Sequence, residues 1–244
     1  MVATGFRVEA LNEDGGPLWI DSLADKDPNH LVHVVRGLGP AAAIELVGGR
    51  VVRELAPGEL PTECPDPWST PAHAAMGAAR MTDLLVAGRR GDWTFVYDAS
   101  GVTGWTKGRQ PMATLLSAEG RVAATSDWTI NSDTSIAYAE DGEVVFAVTH
   151  AYDPERDDEN LPHQLRPAIE AAGRVADVEN GYDRGINMRI VCALAGLTWT
   201  PDELRAEPLL IGEVSQSHVY DALAKIAEAR SSALTGRDRQ ALNG

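Results

Sequence analysis

Cysteine is nearly missing from this chain of 244 residues: Cys64 and Cys192 are the only two, far apart and in unlike surroundings. They suggest neither a zinc cluster nor a disulfide framework. Basic side chains are also short, 21 against 36 acidic ones, for a formal charge of −15. Nucleic acid and anionic membranes are polyanions, so that balance opposes binding to either. No apolar run approaches the ~20 residues of a membrane-spanning helix, and the N-terminus lacks a charged segment followed by an apolar one. The expectation is a cytoplasmic protein with no nucleic-acid or membrane partner.

Catalytic signatures are equally scarce. Ser100 sits in Ala-Ser-Gly rather than the Gly-x-Ser-x-Gly of a hydrolase elbow, and Gly101, Gly104 and Gly108 match neither a phosphate loop nor a dinucleotide fingerprint. Cys64 has no base beside it to generate thiolate; the closest histidine in sequence is His73. His30 and His33 invite a metal reading, but on a strand residues three apart point to opposite faces. No cofactor or metal is expected.

What the chain does carry is a run of strand patterns from Met81 to Thr149. In Asp92 to Asp98 the aromatics Trp93, Phe95 and Tyr97 alternate with Thr94 and Val96, the period of a strand laying one face on a core. Thr82 to Ala87 is a second apolar run, with Gly88 to Gly91 as the turn between them. Val122 to Trp128, Ser135 to Ala139 and Glu143 to Thr149 follow, the last two joined through Asp141 and Gly142. Earlier, Gly5 to Leu11 reads as a short strand, His30 to Val35 as a buried one, and Pro40 opens a helix that Gly48 ends. Five prolines between Pro57 and Pro71 predict a connecting loop, part of a long stretch from Val51 to Thr70 without a regular pattern. Short helices are expected over Ala74 to Ala79 and Pro111 to Ala118.

After Asn160 the pattern becomes helical. Leu165, Ala168, Ile169 and Ala172 share a face with Asn160 as cap, Ile186, Ile190, Ala193, Leu194 and Leu197 share another, and Ser217 caps a last helix bearing Val219, Ala222, Leu223, Ile226 and Ala229. The reading is an α+β fold: an antiparallel sheet built from hairpins, with helices packed on it mainly from the C-terminal third. Residues 1–235 are expected to form one domain and 236–244 a polar tail.

Eight acids and a single arginine fall between Glu140 and Asn160. Asp153, Glu155 and Asp157 alternate like calcium ligands, but the glycine and distal glutamate of a calcium loop are absent. A charged loop on the surface is the plainer reading.

His33 to Pro40, Gly91 to Tyr97 with Gly104 and Trp105, Tyr138 to Val144, and Leu197 to Leu204 together resemble an uncharacterised domain family widespread in actinomycetes, over roughly residues 30–215. The resemblance implies a bacterial, intracellular protein and brings no catalytic residues. Strong acidity and the loop from Asp153 to Glu159 then point to protein binding: an immunity or antitoxin-like factor that sets Asp153, Glu155, Asp157, Asp158 and Glu159 against a basic bacterial protein such as a toxin. The alternative is a small-molecule binder or enzyme with a pocket near His150, Asp153 and His163.

Overall fold

The computed structural model describes residues 5–26, 29–64, 66–78, 82–104, 110–129, 131, 133–173 and 183–214. Its centre is an antiparallel sheet of eight strands: β1 (His30–Arg36), β2 (Gly49–Leu55), β3 (Asp83–Arg90), β4 (Trp93–Asp98), β5 (Val122–Trp128), β6 (Thr134–Glu140), β7 (Glu143–Val148) and β8 (Leu209–Val214). The spatial order is β2-β8-β3-β4-β1-β5-β6-β7. Among the described residues the helices are α1 (Leu18–Asp21), α2 (Pro40–Leu46), α3 (Pro71–Met76), α4 (Met112–Ser117), α5 (Pro154–Asp157), α6 (Arg166–Ala172), α7 (Ile186–Leu194) and α8 (Pro201–Arg205).

Alternation along the central strands serves two cores. Val32, Val34, Val86, Phe95 and Tyr97 face the larger one, which α1, α6, α7 and α8 complete. Val35, Leu85, Ala87 and Val96, one residue out of phase, face the smaller one under α2 and α4. In the larger core Trp19 meets Phe95 edge-on at 5.3 Å and Trp199 at 6.1 Å, and its indole N–H donates to the Leu197 carbonyl at 3.1 Å. Edge-on contacts of this kind each add about 0.5–1.5 kcal/mol to simple burial. Trp93, at the strand end, is only partly buried against this core.

Turn chemistry sets the hairpins. Asp141 and Gly142 both take positive φ, +47° and +84°, between paired Glu140 and Glu143, as a two-residue Asp-Gly hairpin requires. The β3–β4 turn falls on Gly91 and Asp92 rather than on the four residues from Gly88. Gly88 lies inside β3, where a β-carbon would come within 2.6 Å of the Phe95 ring. It is a packing glycine, not a turn glycine.

The structure departs from the sequence reading at four further places. The stretch from Val51 to Thr70 begins with strand: β2 runs along the sheet edge, with a register shift at Val52 that breaks its alternation. β8 lies between β2 and β3, covered on both faces, so its Leu-Leu-Ile run never alternates and does not read as a strand by period. Gly5 to Leu11 holds a short 3-10 turn at Val8–Ala10 instead of a strand. Asn160 ends a 3-10 turn, and the following helix starts at Arg166. The helix expected after Ser217 lies outside the described residues.

Candidate functional site

Three polar clusters hold the titratable side chains that chemistry would need. β1 places two histidines on opposite faces of the sheet, as the strand period requires. On the larger-core face, His30 Nδ1 lies 3.1 Å from the Tyr97 hydroxyl and Nε2 lies 3.5 Å from Asp21, whose other oxygen accepts from Asn12 at 2.5 Å. Burial pushes the His30 pKa down to about 4, raises that of Asp21, and raises that of the Tyr97 phenol well above its ordinary value. An aspartate, a histidine and a hydroxyl in sequence have the composition of a proton relay. Here the terminal hydroxyl belongs to a residue 1% exposed, so the chain ties α1 to β1 and β4 and offers no nucleophile at the surface.

On the other face His33 is fully buried, with Nδ1 2.9 Å from the Thr125 hydroxyl and Nε2 3.0 Å from that of Thr103. Thr103 donates its hydroxyl proton to Asp98 at 2.8 Å, so its oxygen must accept from His33, which assigns the proton to Nε2 and leaves Nδ1 to accept from Thr125. Asp98 also accepts the backbone N–H groups of Ser100, Gly101 and Thr103, all at 2.9 Å. Burial raises the Asp98 pKa against those hydrogen bonds and lowers that of His33 to about 3. This network closes the loop after β4 over the smaller core.

The third cluster is the acidic stretch, and it is not one loop of free carboxylates. Asp153 caps α5 by accepting the Glu155 N–H at 3.1 Å. Asp157 is buried, accepting the Asp153 N–H at 2.8 Å, Arg156 Nε at 3.2 Å and His150 Nε2 at 3.2 Å. Burial works to raise its pKa; those three donors hold it below the ordinary carboxylate value. Glu155, Asp158 and Glu159 remain exposed. Asp158 accepts the Tyr152 hydroxyl, and the Tyr152 ring packs on Phe146 of β7 at 6.4 Å between centroids. The Tyr152 N–H in turn donates to Asn187 of α7, which also holds the His150 carbonyl at 2.8 Å.

The five acids assigned to partner binding therefore divide. Glu155, Asp158 and Glu159 face solvent on a framework pinned to β7 and α7, whereas Asp157 is an internal anchor and Asp153 a cap. Of the trio His150, Asp153 and His163, the carboxylate that meets His150 is Asp157, and His163 stands exposed on the turn before α6. Tyr152 and Asn187, which fix the whole turn, carry no signal in the sequence, since their partners lie up to 53 positions away. Among the described residues no group of three or more His, Cys, Asp or Glu could hold a metal, and no helix is long and apolar enough to cross a membrane. Cys64 and Cys192 are both free, with Cys192 fully buried.

In comparison with known proteins, the model of a family of unknown function, DUF6461, matches residues 17–214. No curated protein and no solved structure matches the chain.

Proposed function

The chain belongs to DUF6461, and from that premise we propose that it is a non-catalytic protein-binding module that meets a basic partner with Glu155, Asp158 and Glu159. The observation that carries this reading is the pinned turn from which those three acids project: Tyr152 holds the Asp158 carboxylate while the buried Asp157 holds the backbone of α5 in place. A charged surface carried on an already ordered turn loses less backbone entropy on binding than a mobile one. With a formal charge of −15 behind it, such a surface speeds encounter with a cationic protein and makes the encounter sensitive to salt. In its finer form the proposal is an immunity or antitoxin-like factor of an actinobacterial cytoplasm, neutralising a basic toxin.

The test is a pull-down from the encoding organism at low and high salt, repeated with the combined variant Glu155→Gln, Asp158→Asn and Glu159→Gln. Asp157 is left untouched because its replacement would loosen the turn itself. The expected result is a partner that binds the variant at least about tenfold more weakly, with a flatter salt dependence. Recovery of no partner, or of one that binds the variant equally well, overturns the proposal.

A further inference from the structure

The two edges of the sheet are not alike. β2 carries Arg50, Arg53 and Glu54 as exposed charges, breaks its register at Val52, and spends the Arg53 guanidinium on the Ala75 carbonyl. Charges and a bulge are the usual means by which an edge strand discourages a further strand. β7 has only Glu143, at its head, and then presents Val144 and Val145, 42% and 46% exposed, followed by an exposed Ala147. Its own irregularity sits at its start: Val144 pairs with Ala139 and Phe146 with Tyr138, so Val145 is the extra residue. From Phe146 to Val148 the register with β6 is regular.

We infer that β7 takes an extended segment of the basic partner as a ninth strand, pairing along Phe146 to Val148 with Val144 and Val145 as the apolar contact. The inference rests on the acidic-turn reading and specifies how that partner is held. The choice of occupant follows from charge. Glu140, Asp141 and Glu143 lie where β7 begins, and the turn bearing Glu155, Asp158 and Glu159 follows in the chain where it ends, tied back to Phe146 through Tyr152. A strand laid here meets carboxylates at both ends and valine in between, which suits a segment with lysine or arginine flanking apolar residues. A second copy of this chain fits worse, because antiparallel pairing of two β7 edges would set Glu143 of one against the acidic turn of the other.

The probe is an eight-residue peptide of alternating lysine and valine, compared with a peptide of equal charge in which proline replaces the two central valines. Proline removes backbone donors and cannot continue a ladder. Binding to the full chain is followed by fluorescence anisotropy at low and moderate salt, and backbone pairing by amide hydrogen exchange along β7 and β2. The alternating peptide is expected to bind at least about tenfold more tightly than the proline peptide, and to slow exchange within Val144 to Val148 but not within β2. Val145→Lys, at an exposed position that leaves the fold intact, should remove that preference. If both peptides bind alike without protecting β7, the ninth strand is wrong while charge-driven docking stands. If protection appears on β2, the edge is wrong. If neither peptide binds at low salt, the acidic-turn reading falls as well.

Discussion

His33 is the side chain on which an acid titration of stability should turn. Its ring is fully buried between Thr103 and Thr125, and its pKa falls from the ordinary 6.5 to about 3; that of His30, on the opposite face, falls to about 4. Both are lowered in the folded state, so above pH 6.5 neither costs stability. As pH drops below 6.5 the unfolded chain takes up protons that the folded chain refuses, and stability is lost down to the folded values. Carried through the whole window, the loss is roughly 3 kcal/mol for His30 and roughly 5 kcal/mol for His33, comparable to the entire stability of many domains. Between about pH 7.5 and 5.5 each histidine alone should cost about 1 kcal/mol. Asp21 and Asp98, whose pKa values are raised, work in the opposite direction as they protonate, so the informative quantity is the difference between proteins. Urea unfolding at the two pH values, for the natural chain, His33→Asn and His30→Asn, measures it. Each variant should show a pH-dependent loss smaller by about 1 kcal/mol, whatever its stability at pH 7.5. An identical loss in all three proteins, or an NMR titration in which the His33 ring protonates near pH 6.5, would mean that the buried histidines do not govern the acid loss.

Two other perturbations follow from the packing. Arg189 is fully buried, with its Nε donating to the Ala172 carbonyl at 2.9 Å and its terminal nitrogens serving Gly15, Gly173 and the Asp183 carboxylate; Arg189→Met should cost about 3–5 kcal/mol in chemical denaturation, because the Asp183 charge and three carbonyls lose their donor. A β-carbon at Gly185 would sit 2.5 Å from the Gly15 carbonyl oxygen, a backbone atom that cannot rotate away. Gly185→Ala should therefore lower the thermal midpoint, by about 1–3 kcal/mol in free energy, while Gly37→Ala, with nothing near its β-carbon, should cost only the strain of its positive φ, +79°.

Local chemistry alone determined a good part of this protein. The alternation from Trp93 to Tyr97, the Asp-Gly turn at Asp141, and proline at the head of α2 are effects confined to a few neighbouring residues, so they can be read without knowing what lies across the core. The opposed faces of His30 and His33 follow from strand period in the same way. Tertiary structure decided what depended on distant partners. β8 is a strand because β2 and β3 flank it, and covering both its faces removed the alternation that would have announced it. Gly88 looked like a turn residue until the Phe95 ring occupied the space beside it. Most of all, five acids that composition treats alike became three kinds of group. Burial and the His150, Arg156 and Asp153 donors made Asp157 an anchor, helix geometry made Asp153 a cap, and only Glu155, Asp158 and Glu159 were left exposed to solvent. The charge of a side chain is written in the sequence; whether that charge is satisfied inside the fold depends on the donors that folding brings to it.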